Sequence, residues 1–123
     1  MGKTILIVDD SRVVRQQVSI LFTQAGYSVI EAADGREGLK KITAQRDIAV
    51  VICDLHMPEM NGIEMMKAVR AAGIATLPII MLTTEGQGDV VAQAKQAGAS
   101  GWMVKPFNQE KLLAAVKTIA GVP

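Results

Sequence analysis

The sequence predicts an α/β domain in which five helices flank a doubly wound sheet of five parallel strands. Short aliphatic runs alternate along the chain with segments whose apolar residues recur at helical spacing. The short runs are continuously apolar, which is typical of parallel strands covered by helices on both faces. Right-handed crossovers between such strands produce this architecture. A length of 123 residues fits one domain, which we expect to span residues 1–123.

The positions of the aliphatic runs define the five strands. The predicted strands cover residues 5–8, 29–32, 50–53, 79–82 and 102–104. Their starts lie 21 to 29 residues apart, which leaves room for one helix in each connection. We expect the spatial order 2-1-3-4-5, because known doubly wound sheets of five strands commonly have it.

Polar residues that can accept hydrogen bonds from a first helical turn indicate where helices begin. These residues are Ser11, Asp34, Asn61 and Asn108. A glutamate stands three residues after both Asp34 and Asn61, which is the spacing of a capping box. The fourth helix lacks such a signal, and we expect it to begin near Asp89. Helix ends are predicted at Gly26, Gly73 and Gly98.

Charge and composition exclude several classes of protein. The chain carries 13 basic and 12 acidic residues, so neither a broad basic surface for nucleic acid nor a polybasic membrane anchor is expected. Cys53 is the sole cysteine, which excludes a disulfide framework and a cysteine-based zinc site. The chain shows no secretory signal and no apolar run of ~20 residues, and we expect a cytoplasmic protein with no membrane insertion.

Reactive side chains follow the predicted strands at the points where the strands end. Asp9 and Asp10 follow the first strand, Asp54 follows the third, and Thr83 follows the fourth. Lys105 follows the fifth. Doubly wound sheets bind ligands beyond the carboxyl ends of their strands, near the point where the strand order reverses. We therefore expect these five residues to lie at one edge of the sheet.

This cluster predicts a site for a cation and a phosphoryl group. Three carboxylates at close range repel one another, and a bound cation relieves that repulsion. All the donors are oxygens, which favours Mg²⁺. Lys105 adds a second positive charge, and the two cations together suit a phosphoryl group. One carboxylate could then attack phosphorus and form an aspartyl phosphate, with Thr83 hydrogen-bonded to a phosphoryl oxygen.

Five stretches of the chain carry the motifs of one known family. They are ILIVDDS (residues 5–11), DLHMPEMNG (54–62), PIIMLT (78–83), GASG (98–101) and KPF (105–107). In this order and spacing, the chain resembles the receiver domain of two-component response regulators, of the stand-alone chemotaxis (CheY-like) type. The resemblance implies a flavodoxin-like fold and a single receiver domain over residues 1–123, without an output domain. It also implies a protein that catalyses its own phosphorylation and dephosphorylation and does not act on a separate substrate.

The resemblance assigns a role to each residue of the cluster. Asp54 is the expected phospho-acceptor. Lys105 is expected to bind a phosphoryl oxygen and to precede a cis peptide bond to the following proline. The expected Mg²⁺ ligands are the carboxylates of Asp10 and Asp54 and the main-chain carbonyl of His56, while Asp9 acts largely through water.

The resemblance further implies how the signal leaves the site. Thr83 is expected to move toward the phosphoryl group, and Trp102 is expected to turn inward as the aromatic switch residue. The responsive surface would comprise the fourth helix, the fifth strand and the fifth helix. The implied partners are a histidine kinase as phosphodonor, a downstream target such as a flagellar switch component, and a phosphatase. The expected oligomeric state is a monomer.

Other functions remain open at the level of the sequence. Within the same family, the protein could relay the phosphoryl group to a histidine or act as a phosphate sink. A flavodoxin-like cofactor module is disfavoured because Asp9 and Asp10 would repel a phosphate where such modules carry a cradle of serine, threonine and glycine. A Mg²⁺-dependent phosphohydrolase usually carries its nucleophile after the first strand, whereas here the expected nucleophile follows the third.

Two positions depart from the commonest pattern of the family. His56 stands two residues after Asp54, and Thr84 is bulkier than the small residue usual after the switch threonine. We hypothesise that His56 and Glu85 flank the phosphoryl group and influence the water that hydrolyses it. In the same hypothesis, Thr84 narrows access to the phosphoryl group.

Overall fold

A five-stranded parallel sheet forms the centre of the computed structural model, which describes residues 3–84 and 86–123. The strands are β1 (Thr4–Val8), β2 (Ser28–Ala32), β3 (Ile48–Cys53), β4 (Ile79–Thr83) and β5 (Gly101–Val104). Their spatial order is β2-β1-β3-β4-β5. Both the predicted architecture and the predicted strand order are confirmed, and β1 and β3 are neighbours at the centre of the sheet.

Five helices connect and follow these strands. They are α1 (Arg12–Gln24), α2 (Gly35–Ala44), α3 (Gly62–Ala71), α4 (Gly88–Gln96) and α5 (Gln109–Ala120). The fourth helix therefore begins one residue before the predicted Asp89. Within the described part of the chain, no helix is both long and apolar enough to cross a membrane.

The four predicted capping residues are the N-caps of α1, α2, α3 and α5. The side chains of Ser11, Asp34, Asn61 and Asn108 each accept a hydrogen bond from the backbone N–H three residues later. Asn61 and Glu64 form the complete reciprocal capping box. Glu37 differs, because its carboxylate accepts from the N–H of Ala33, one residue before the cap. The direction in which the chain enters α2 therefore places the N–H of Ala33, and not that of Asp34, within reach of the Glu37 carboxylate.

The alternation of side chains along β1 explains why the strands are continuously apolar. Ile5 and Ile7 point to one face of the sheet, and Leu6 and Val8 point to the other. The first face packs against α1 and α5 through residues that include Val18, Phe22, Leu112 and Val116. The second face packs against α2, α3 and α4 through residues that include Ile42, Met65, Met66 and Ala94. The residues of β1 from Ile5 to Val8 are therefore enclosed on whichever face they occupy.

Gly62 lets α3 approach the end of β3. A Cβ at this position would lie 2.4 Å from the main-chain oxygen of Asp54, a distance that no side chain tolerates. The N–H of Gly62 donates to the main-chain oxygen of Leu55 at 2.9 Å. The loop after β3 is consequently folded tightly back against α3, and this fixes the backbone at Asp54 and Leu55.

Candidate functional site

The parallel register brings the strand-end residues to one edge of the sheet, as predicted. The N–H of Asp54 donates to the main-chain oxygen of Val8 at 2.9 Å, which ties the end of β3 to the end of β1. The N–H of Lys105 donates to the main-chain oxygen of Thr83 at 2.8 Å, which ties the end of β5 to the end of β4. The backbone of the sheet thus places four of these strand ends side by side.

Lys105 bridges two of the carboxylates. Its Nζ lies 2.7 Å from Oδ2 of Asp9 and 3.3 Å from Oδ2 of Asp54. The other oxygen of each carboxylate accepts from a backbone amide, Ser11 N–H at 2.8 Å for Asp9 and Leu55 N–H at 2.7 Å for Asp54. Each carboxylate is therefore held at both oxygens, and these charge-assisted hydrogen bonds fix its orientation.

Burial and the charges of neighbouring groups have opposing effects on the pKa values of Asp9 and Lys105. Asp9 is 2% exposed, and this burial raises the pKa of its carboxyl group; the negative charge of Asp54 adds to the rise. The hydrogen bonds from Lys105 and Ser11 offset only part of it. For Lys105, burial alone would lower the pKa, but the hydrogen bond and charge of Asp9, together with Asp54, raise it. The lysine is less deeply buried, so its partners prevail over desolvation.

The three aspartates fit a hard cation. Asp9, Asp10 and Asp54 each offer one carboxylate oxygen, and these three oxygens lie within 4.8 Å of one another. Asp9 and Asp54 are buried and Asp10 is exposed, so the cluster opens toward solvent on the Asp10 side. A donor set made of oxygens alone matches Mg²⁺, which keeps several waters and binds through one or two carboxylates.

An acidic cleft adjoins the cluster on that side. The cleft has a volume of about 470 Å³ and is lined by Asp10, His56, Met57, Glu59, Asn61 and Glu64. The exposed side chain of His56 lies in this lining, beside Asp10. Glu85, which the hypothesis paired with His56, lies outside the described residues.

Thr83 and Trp102 occupy neighbouring strands behind the carboxylates. Thr83 of β4 is fully buried and pairs with Val104 of β5. Two residues earlier on both strands, Met81 pairs with Trp102. Trp102 is half-buried and packs against the core on the α3 and α4 side of the sheet. The Lys105–Pro106 peptide bond is cis, as predicted.

A comparison with known families identifies the family to which the chain belongs. Residues 5–117 match the family of the response regulator receiver domain. The chain belongs to this family. It is a receiver domain, and as such a phosphorylation-activated switch of two-component signalling.

Curated relatives and solved structures agree with the assignment. The receiver domain is 40% identical over 119 residues to the chemotaxis protein CheY1 of Helicobacter pylori, covering 95% of this chain and 96% of that protein. It is similar to the chemotaxis protein CheY4 of Vibrio cholerae, with a TM-score of 0.90, 45% identity and coverage of 97% and 99% of the two chains. It also resembles a chain in the crystal structure of the CheX-CheY-BeF3-Mg²⁺ complex of Borrelia burgdorferi, with a TM-score of 0.87, 31% identity and coverage of 94% and 87% of the two chains. These matches do not favour a flavodoxin-like cofactor module.

Sequence reasoning missed Arg15, whose side chain binds the backbone of Asp9 at the receiver site. Its Nη1 donates to the main-chain oxygen of Asp9 at 2.6 Å, and its Nε lies 3.1 Å from Oε1 of Glu31. The first turns of α1 contain Arg12 and Arg15 and no acidic residue, although a helix N-terminus disfavours cations. This unfavourable placement was the available signal that Arg15 serves a purpose outside its own helix.

Proposed function

We propose that Asp54 accepts a phosphoryl group from a histidine kinase and that the phosphorylated protein signals to a target in a chemotaxis pathway. One observation carries the proposal. The Asp54 carboxylate, 8% exposed at the end of β3, is held between the Leu55 amide and the ammonium group of Lys105. The similarity to CheY proteins of several bacteria supports the choice of pathway.

The transfer is a displacement at phosphorus. A carboxylate oxygen of Asp54 forms the new O–P bond while the P–N bond of the kinase phosphohistidine breaks, and the imidazole leaves with the electron pair. Lys105 balances the charge on a phosphoryl oxygen, and the hydroxyl of Thr83 donates to another. Water later attacks the same phosphorus, which releases inorganic phosphate and restores the carboxylate. The protein thereby catalyses its own phosphorylation and dephosphorylation.

Mg²⁺ is the proposed cofactor. Its ligands would be the carboxylates of Asp10 and Asp54 and the main-chain carbonyl of His56, with Asp9 acting through water. When bound, Mg²⁺ supplies positive charge to the phosphoryl oxygens. The Borrelia burgdorferi relative, whose structure is a complex of CheX, CheY, BeF3 and Mg²⁺, supports this assignment.

The proposed conformational response begins with the added charge. Phosphorylation places about −1.5 to −2 charges beside Lys105 and Thr83. Thr83 moves toward the phosphoryl group, and Trp102 turns inward on the neighbouring strand. The α4, β5 and α5 surface changes as a result, and this surface binds the downstream target.

The proposed partners follow from the family. They are a histidine kinase, a downstream target such as a flagellar switch component, and a phosphatase. The Borrelia burgdorferi structure, a complex of CheX with CheY, supports the expectation of protein partners. We propose that the protein acts as a monomer in the cytoplasm, as a single receiver domain over residues 1–123. Transfer onward to a histidine, or use as a phosphate sink, would be the alternative within the family.

The roles of His56, Glu85 and Thr84 stay a prediction. His56 lines the acidic cleft beside Asp10, where it could contact the hydrolytic water. The effect of His56 on hydrolysis is tested by measuring the rate of dephosphorylation of His56→Ala and of the parent protein. An unchanged rate would reject the role of His56.

Treatment with a small acyl phosphate, with and without Mg²⁺, tests the proposed function. Intact mass should show a single Mg²⁺-dependent phosphoryl addition, and Trp102 fluorescence should change in parallel. Asp54→Asn should abolish both, whereas Asp34→Asn, which alters an aspartate that caps α2, should retain both. Labelling of Asp54→Asn at the parental rate would reject Asp54 as the acceptor.

A further inference from the structure

The two ends of α4 are held very differently. At its N-terminal end, Gln87 occupies the cap position and makes no side-chain capping hydrogen bond among the described residues. Gly88 follows, and a Cβ there would contact nothing within 4 Å. The sole buried residue of the helix is Ala94, in its C-terminal half. In the first turn only the half-buried Val90 packs against the core among the described residues, so the N-terminal end is held by less packing and capping than the C-terminal end.

The C-terminal end of α4 is tied to the sheet. Its anchor consists of residues 97–100, which follow the helix. The N–H of Ala99 donates to the main-chain oxygen of Ala94 at 2.9 Å, closing the helix. The N–H of Ser100 donates to the main-chain oxygen of Ile79 at 2.7 Å, and the Ser100 hydroxyl accepts from Ile79 N–H at 3.3 Å. This anchor is thus joined to the first residue of β4.

Arg70 joins the same anchor to α3. Its Nη1 donates to the main-chain oxygen of Ile74 at 3.0 Å, and its Nη2 donates to that of Gly98 at 2.8 Å. Gly98 has a φ of +105°, and a Cβ there would lie 2.7 Å from Nε of Arg70. The absence of a side chain at residue 98 is what lets the guanidinium approach. One side chain therefore holds the chain segments that follow α3 and α4.

We propose that Arg70 is a positioning residue that makes the C-terminal anchor the pivot of α4 during signalling. The inference rests on the proposed function, since the displacement originates at Thr83, which the short segment 84–87 joins to the N-terminal end of α4. A pull from Thr83 tilts the loosely held end while Arg70 keeps the far end in place. Trp102 lines a cavity of about 50 Å³ together with Ala99 and Ser100 of the anchor, so the anchor that Arg70 holds also forms part of the surroundings of Trp102.

Hydrogen exchange of the unphosphorylated protein tests the difference between the two ends. Val91 N–H is bonded to the main-chain oxygen of Gln87, and Met65 N–H is bonded equivalently at the start of α3, to Asn61. We expect Val91 to exchange faster than Met65, and also faster than Ala97 and Ala99. Equal protection of Val91 and Ala99 would overturn the proposal without reference to phosphorylation.

Substitution of Arg70 tests the pivot itself. Arg70→Met keeps the length of the stem and removes both hydrogen bonds, and exchange at Ala97 and Ala99 should rise roughly fivefold or more. Lys67→Met removes a charge from the same cleft between α3 and α4 and should leave this exchange unchanged. In Arg70→Lys, exchange at Ala97 and Ala99 should be intermediate between the values of the Arg70→Met and Lys67→Met variants. Arg70→Lys takes the place of Arg70→Met in the test if Arg70→Met does not fold. Identical exchange in the Arg70 and Lys67 variants would overturn the proposal.

Experiments on the phosphorylated protein distinguish a positioning role of Arg70 from a role in stability alone. In the parent protein, treatment with a small acyl phosphate and Mg²⁺ should change exchange at Val91 and Ala92 more than at Ala97 and Ala99. In Arg70→Met the change should spread over the whole helix and the Trp102 fluorescence response should shrink, while the rate of Asp54 labelling stays parental. An evenly distributed change in the parent protein would overturn the pivot. A parent protein that takes up no phosphoryl group would instead refute the proposed function, and the exchange of the unphosphorylated variants would still decide the pivot.

Discussion

Nζ of Lys105 lies 2.7 Å from Oδ2 of Asp9 and, at 3.3 Å, also reaches Oδ2 of Asp54. The lysine therefore already contacts the carboxylate on which the proposed mechanism places the phosphoryl group. In the unphosphorylated protein it limits the repulsion between the two carboxylates. Its charge thus has two consecutive uses, first for stability and then for chemistry.

Removal of the Lys105 charge should destabilise the protein in the absence of Mg²⁺. Lys105→Met leaves two buried carboxylates without their cation, and we expect a loss of about 2 kcal/mol, below the ~3–5 kcal/mol of a fully buried pair because Lys105 is partly solvated. Urea denaturation measures the loss, and millimolar Mg²⁺ should restore more stability to this variant than to the parent. Lys40→Met, at an exposed position, serves as the control. Equal stabilisation of all three proteins by Mg²⁺ would contradict the prediction.

Neutralisation of Asp9 should stabilise the protein in the absence of Mg²⁺. Its folded-state pKa lies above the ordinary value of 3.8 because burial disfavours the charged form. The folded state therefore binds this proton more tightly than the unfolded state, and ionised Asp9 costs stability above the raised pKa. Asp9→Asn should unfold at higher urea concentration at neutral pH, by roughly 1 kcal/mol.

The pH dependence of that difference gives the decisive measurement. As the pH falls through the raised pKa, parental Asp9 becomes protonated and its cost disappears. The advantage of Asp9→Asn should therefore shrink on acidification. An advantage that is constant down to pH ~3.8 would show that the charge of Asp9 is not its cause.

Arg15 should affect phosphorylation through the backbone of Asp9. Arg15→Met removes both the hydrogen bond to the main-chain oxygen of Asp9 and the ion pair with Glu31. Glu31→Gln removes the charge of the partner and leaves the bond to Asp9. We expect a severalfold slower phosphorylation from a small donor for Arg15→Met alone, with a stability loss of about 1 kcal/mol. Equal rates in the two variants would assign the effect to the ion pair instead.

Gly62 should tolerate no side chain, whereas the equivalent glycine of α4 should. Both Gly62 and Gly88 are the first residue of a helix, but a Cβ at Gly62 would overlap the main-chain oxygen of Asp54 and one at Gly88 would meet nothing. Gly62→Ala should cost at least ~2 kcal/mol and slow phosphorylation, since α3 must withdraw from the acceptor loop. Gly88→Ala should stay within ~0.5 kcal/mol of the parent. Equal thermal stability of the two variants would contradict this explanation.

Prediction from the sequence succeeded where a signal was local. Ser11, Asp34, Asn61 and Asn108 indicated helix starts because a cap is an interaction across three residues. The start of α4 could only be approximated, because Gln87 provides no such interaction. Glu37 was expected to reach its cap residue and instead contacts Ala33, since the entry angle of the chain depends on how α2 packs.

The sequence alone determined the fold class, the strand ends and the types of residue that gather there. These follow from apolar periodicity and from the rule that parallel strands end at one edge of their sheet. The tertiary structure decided which atoms meet: that Lys105 bridges Asp9 and Asp54, that Arg15 supports Asp9 from behind, and that Arg70 joins the ends of α3 and α4. These contacts link residues far apart in the chain. Their distances depend on the packing of whole helices against the sheet, which no local pattern records.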